Sequence, residues 1–168
     1  YLRENNIKQI LHLGDYYDNR KFINFKALQS NRYMFLDILR DEGMVMDIIP
    51  GNHDVFYKNT NELNSLKELQ GHYMNEVHII MKPKIVNYGG LDIGLIPWIN
   101  KENYEESIKF IEQCKADIIG AHLELSGFEV MRGHVMAHGM DPKIFERFEL
   151  VMSGHYHTAS EKGNVKYL

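Results

Sequence analysis

Val45-Met46-Asp47-Ile48-Ile49-Pro50-Gly51-Asn52-His53-Asp54 is the stretch whose reading decides how this chain folds. Val45–Ile49 reads as a buried strand, and three polar side chains follow directly behind Pro50 and Gly51. Polar groups set against the end of a buried strand need a reason, because burying them without partners costs roughly 2 kcal/mol or more. The same grammar recurs three times along the chain. Ile10–Leu13 leads into Gly14-Asp15-Tyr16-Tyr17-Asp18, Ile118–Ile119 into Gly120-Ala121-His122, and Leu150–Met152 into Gly154-His155-Tyr156-His157. Each cluster joins a glycine to an oxygen or imidazole donor. Four strands would thus deliver Asp, Asn and His to one edge of a sheet, as a two-metal site requires.

The segments between these clusters predict an α/β domain. Phe25, Leu28, Arg32, Phe35, Leu36 and Leu39 recur at three- and four-residue steps, and Gly43 supplies a stop. Glu62–Gln70 is a shorter helix ending at Gly71. Val77–Ile80, Lys84–Tyr88 and Leu91–Ile96 are short β-like runs, the last two joined through Gly89-Gly90. Glu102–Lys115 is a third helix, with Tyr104, Ile108, Ile111 and Cys114 on its inner face. Asp117–Ile119 and Phe148–Met152 then repeat the strand pattern. There is no internal repeat, low-complexity tract or linker, so residues 1–168 are expected to form one domain.

A chain of 168 residues with 44% hydrophobic composition builds a packed core. The single cysteine, Cys114, leaves no internal disulfide to form; a reducing, cytoplasmic setting and a buried thiol are expected. No apolar stretch approaches the roughly 18 residues of a membrane span, and no charged-then-apolar leader opens the chain. A net charge of −4 argues against a broad electropositive surface. It leaves DNA open as a substrate, because two divalent cations add about four positive charges where a phosphate would sit. Tyr1 falls inside what reads as a helix, so truncation at the N-terminus is expected.

The donor types define a chemistry. A carboxylate such as Asp15, just beyond a strand, can bridge two cations about 3.5–4 Å apart. Asn52 offers a neutral amide oxygen; His122, His155 and His157 offer imidazole. In extended backbone His155 and His157 would share a face, whereas a loop could aim them at separate metals. Nitrogen and oxygen ligands without thiolate suit Mn²⁺, Fe²⁺ or Zn²⁺. His12, inside a strand, and His72 and His78, flanking a turn, read as structural. Gly133-His134 and His138 sit in a Met-rich loop with no strand before them and read the same way.

Gly-Asp-x-x-Asp, Gly-Asn-His-Asp, Gly-x-His and Gly-His-x-His in this order resemble the motifs of the calcineurin-like metallophosphoesterases. The flanks Asn19-Arg20-Lys21, Tyr57-Lys58-Asn59, Leu95-Ile96-Pro97-Trp98 and Thr158 resemble its recombination-nuclease branch, the T-even phage and SbcD-like break-repair enzymes. The resemblance implies an α/β/β/α sandwich of two mixed sheets flanked by helices, here without its first strand. It also implies two divalent metals, Mn²⁺ first, with Fe²⁺, Zn²⁺ or Mg²⁺ as alternatives. Asp15 would bridge them, Asn52, His122 and His155 would complete one site, and His157 would join the other. His53 would be the general acid, with Asp54 holding its ring by a hydrogen bond. Asp18 would orient a ligand or the substrate, and Arg20 would touch a phosphate. The implied reaction is DNA phosphodiester hydrolysis by a metal-activated hydroxide. A phosphatase of the same superfamily and an inactive protein-binding scaffold are the alternatives. The implied partners are DNA, an SMC-like ATPase subunit and a second copy of the chain, with no membrane. The family's opening Asp-x-His, which supplies two ligands of the first metal, does not occur before Asp15, and its C-terminal DNA-capping and ATPase-binding segments are expected beyond Leu168.

Overall fold

Where the apolar side chains point determines the layers. The computed structural model describes residues 1–131 and 133–168. Strands β1 (Gln9–His12), β2 (Val45–Ile48) and β3 (Val77–Ile79) form a parallel three-stranded sheet in that order. Side chains alternate along β1 and β2. Ile10, Met46 and Ile48 face a helical layer with Leu36, Leu39 and Leu66. Leu11, Leu13 and Ile49 turn the other way and pack on Ile93, Leu95 and Ile118 of the second sheet.

That second sheet has six strands, ordered β10 (Ser160–Lys162), β11 (Val165–Tyr167), β9 (Leu150–Gly154), β6 (Ile118–His122), β5 (Leu91–Ile96) and β4 (Lys84–Tyr88). The four central strands run parallel, and β4 and β10 are antiparallel edges. Its outer face carries helix α4 (Tyr104–Gln113) through Ile111 and Cys114, which join Phe145, Phe148 and Val151 in the largest core. Helix, sheet, sheet and helix therefore stack as expected, with the three-stranded sheet parallel throughout.

Several boundaries differ from the sequence expectation for local reasons. The helix expected from Phe25 to Leu39 is α1 (Phe25–Asn31) and α2 (Asp37–Asp41), joined by a π-turn at Arg32–Leu36. The insertion shifts the face that packs inward, and α1 has no buried residue. Helix α3 is shorter than expected, Ser65–Leu69, because Asn64 caps it by accepting from the Lys67 amide. Asn100 and Asn103 close a turn that delays α4 to Tyr104. The Arg147 guanidinium ends α4 by donating to the carbonyls of Ile111 and Cys114. Tyr104, expected inside, is 51% exposed. His134 also departs from expectation: it lies in β8 (His134–Val135), paired antiparallel with β7 (Glu129–Met131). Among the described residues no helix is long and apolar enough to cross a membrane.

Candidate metal centre

The carboxyl ends of β1, β2, β6 and β9 converge, two from each sheet, and each contributes one donor. Asp15 follows β1 by three residues, Asn52 lies beyond β2, His122 ends β6, and His155 follows β9. His122 and Gly154 are register partners, so the sheet ladder itself sets the spacing of the two imidazoles. One ligand atom each from Asp15, His122 and His155 lies within 4.8 Å of the others. Asn52 Oδ1 sits among them, 3.0 Å from His122 Nε2 and 2.7 Å from His155 Nδ1.

Hydrogen bonding orients the His122 ring. Its Nδ1 donates to the Leu13 carbonyl at 2.7 Å, which aims Nε2 at the converging donors. Nε2 lies 3.0 Å from Asn52 Oδ1 and 3.4 Å from Asp15 Oδ2. Burial, then the neighbouring His122, pulls the His155 pKa down to about 4, so its imidazole is neutral at neutral pH. Burial pushes the Asp15 pKa up, but contacts with His122 and with the His53 amide outweigh it and hold the group below the usual carboxylate range. A charged carboxylate, an amide oxygen and two imidazoles are a donor set that fits a divalent ion of intermediate hardness.

The backbone is packed tightly enough that side chains are excluded. A Cβ at Gly14 would come within 2.5 Å of His122 Nδ1 and 2.7 Å of the Gly51 nitrogen. One at Gly51 would overlap the Asp15 backbone nitrogen and carboxylate. Asp15 (φ 53°) and His155 (φ 95°) occupy the left-handed half of backbone space, which costs a non-glycine residue about 1–3 kcal/mol. Strain concentrated on two of the converging donors marks the site as built for its contents rather than for stability.

Asp54 does something other than the role expected for it. Its Oδ1 accepts from the Tyr16 amide at 2.9 Å and the Tyr17 amide at 3.2 Å, and Oδ2 accepts from the Gly51 amide at 2.8 Å. It therefore buckles the Asp15 turn to the Asn52 turn and makes no hydrogen bond to the His53 ring. Burial dominates its titration and pushes its pKa up to about 6 despite those amides. The His53 ring is held instead by Asp18, through the backbone carbonyl 2.7 Å from Nδ1. Donation from Nδ1 leaves His53 Nε2 directed elsewhere, and the His53 amide donates to Asp15 Oδ1 at 2.8 Å. The Asp18 side chain and His157 are exposed; His157 lies outside the group formed by Asp15, His122 and His155. The Arg20 guanidinium lies 5.7 Å from the centre of the Trp98 ring, and its Nη1 is buried with no partner among the described residues.

The other histidines are not among the grouped donors, although His12 lies near enough for His122 and Asp15 to act on its charge. His12 packs edge-on against Tyr16 with its Nδ1 buried and unpartnered among the described residues, and His78 bonds Asp47 at 3.0 Å. His72 lies in a short turn, and His134 and His138 are exposed. The anchoring behind these donors has no signature in the residue pattern. Tyr156 donates to the Leu125 carbonyl at 2.7 Å, Tyr167 to the Leu123 carbonyl at 3.1 Å, and the Ser153 hydroxyl accepts from the Leu123 amide. The segment leaving His122 is thus bolted to β9 and β11.

A family model described as calcineurin-like phosphoesterase matches residues 1–159. Exonuclease subunit 1 of Enterobacteria phage T4 is 37% identical over 168 residues, a span covering 100% of this chain and 49% of that protein. The chain spans about half the length of the curated relative it matches.

Proposed function

This chain belongs to the calcineurin-like phosphoesterase family, and from that footing we propose that it is a divalent-metal-dependent nuclease hydrolysing DNA phosphodiesters. The observation that carries this reading is the convergence of Asp15, Asn52, His122 and His155 beside a ring-oriented His53. Likeness along the whole chain to a phage exonuclease subunit supports DNA over a phosphomonoester.

Asp15, Asn52, His122 and His155 would hold the first ion, and Asp15 with His157 would contribute to a second; Mn²⁺ suits the mixed donors. When bound, the ions supply Lewis-acid polarisation of the phosphate and a water of lowered pKa. The protein's own groups do the rest. Asp18 keeps the His53 Nδ1 proton engaged, so a proton carried on Nε2 faces the leaving oxygen, and its delivery there neutralises the departing alkoxide. Arg20, whose guanidinium lies against the Trp98 ring, would hold a non-bridging phosphate oxygen. The word subunit in the relative's name supports assembly with a partner protein, which we take to be an SMC-like ATPase, and with a second copy of the chain. The setting would be the host cytoplasm.

The test supplies Mn²⁺ to the purified protein with linear and single-stranded DNA. Metal-dependent cleavage that chelator abolishes is expected. An absence of cleavage, with His53→Ala matching wild type on a model phosphodiester, would overturn the reading.

A further inference from the structure

Beyond the metal ligands, the same sheet edge holds a cavity of about 400 Å³, within the roughly 300–1,000 Å³ range of small-ligand sites. Trp98 and Ile99, beyond β5, form one side, Tyr104 at the start of α4 another, and His122, Glu124 and Met140 the rest. His122 is therefore shared between the cavity and the metal cluster. We propose that this cavity receives the nucleobase of the nucleotide whose phosphate is cleaved, so that the substrate is a DNA strand with an unpaired base at the cut site. The inference rests on the nuclease reading of the neighbouring centre.

Three observations carry it. First, the wall combines an indole and a phenol with apolar side chains, and aromatic faces hold any base by stacking. Second, the described residues lining the cavity include no lysine or arginine and do include the Glu124 carboxylate, so a phosphate is unwelcome inside. The Arg20 guanidinium lies 5.7 Å from the centre of the Trp98 ring, and the metal donors lie across His122. A nucleotide would thus seat its base in the cavity and its phosphate toward the donors. Third, Trp98 is held in advance. Its carbonyl accepts from the side-chain amides of Asn61 at 2.9 Å and Asn103 at 3.0 Å, and its own amide donates to the Pro50 carbonyl at 2.9 Å. Asn61 is further tied to Asn100 at 2.8 Å. These bonds tie the Trp98 backbone to the turn that carries Asn52, so base and phosphate sites share one frame. A base inside a duplex cannot enter such a cavity; it must already be unpaired or be extruded.

Trp98 is the only tryptophan of the chain, so its fluorescence reports on the cavity directly. Metal-free protein is titrated with dAMP and, separately, with 2-deoxyribose 5-phosphate. Saturable quenching by dAMP alone is expected; equal responses to both, or no response to dAMP, overturn the proposal. Tyr104→Ala, at a half-exposed position outside the core, should weaken the dAMP titration about tenfold with an unchanged unfolding transition. An unchanged titration overturns the assignment of Tyr104 to the base site. In the Mn²⁺ assay, an abasic nucleotide at the cut site should slow wild type about tenfold and Tyr104→Ala little. Base-dependent quenching without DNA cleavage would sink the nuclease reading while leaving the base site standing; cleavage indifferent to the abasic nucleotide would do the reverse.

Discussion

The Asp15–Asn52–His122–His155 side of the centre and the His53–His157 side share the same strand ends, yet the protein holds them differently. On the first side three of the four donors are braced from outside the cluster: His122 by the Leu13 carbonyl, Asp15 by the His53 amide, and the turns bearing Asp15 and Asn52 by three amide bonds to Asp54. His122 is fully buried. On the second side, His53 has one ring hydrogen bond, to a backbone carbonyl in the exposed turn around Asp18, and His157 is exposed. The difference teaches how the work is divided. A group that must keep a fixed distance to an ion is worth immobilising, because small displacements weaken every donor at once. One that passes a proton to a departing product is better placed where that product can leave.

Asp15→Ala should break the braced side most completely, since it removes the only carboxylate of the cluster. Losing several kcal/mol of charge stabilisation corresponds to about 10³–10⁴-fold in DNA hydrolysis. Elemental analysis of the purified variant should show the bound metal gone as well. Metal retained at wild-type stoichiometry would mean that the ion does not sit on Asp15.

His53→Ala sharpens the contrast from the other side. Turnover should fall about 10²-fold or more while metal content stays at the wild-type level. A diester with a good leaving group, which needs little proton delivery, should recover most of the loss. Loss of metal together with activity would move His53 into the braced half.

Asp54→Asn tests the bracing itself. One oxygen can still accept from one turn, but the new amide NH₂ faces a backbone N–H, so either the Tyr16–Tyr17 amides or the Gly51 amide lose their acceptor. Metal affinity, measured by competition with a chelating dye, should weaken about 10- to 100-fold. Unchanged affinity would show that the turns hold their separation without the buckle.

The contrast also explains what could be read in the sequence. The converging donors Asp15, Asn52, His122 and His155 were legible because each follows an apolar run through a glycine, a pattern made of side-chain types. Three of the four strands bearing them end within about two residues of where periodicity puts them, as β2 at Val45–Ile48 against Val45–Ile49 illustrates, while β6 runs three residues past Ile119 to include His122. Bracing was not legible, because the partners of Asp54, His53 and His122 are backbone amides and carbonyls, which any residue supplies. The expectation that Asp54 would hold His53 failed for that reason. Strands β10 and β11 were missed because three-residue segments such as Val165–Tyr167 carry too few positions for alternation to register. The π-turn at Arg32–Leu36 escaped because its residues keep the apolar spacing of the helix they interrupt.

The smallest effect should come from His157→Ala, paired with His155→Ala as its control. Both are histidines of one short turn, so composition cannot separate them. His155 is held in a strained backbone conformation (φ 95°) and reaches Asn52 at 2.7 Å, whereas His157 is exposed and outside the cluster. A donor already desolvated and aimed costs little to engage, and its loss removes a ligand that the other three cannot replace. An exposed one must leave water and fix its rotamers first, so less net free energy is lost with it. His157→Ala should therefore lower Mn²⁺-supported turnover by roughly tenfold or less and be rescued by raised metal concentration, with the affinity of the tighter ion unchanged in the dye competition. His155→Ala should weaken that tighter ion and resist rescue. Equal losses in the two variants would mean that both sides of the centre are held alike once the ions are bound, and the division of labour between them would be lost.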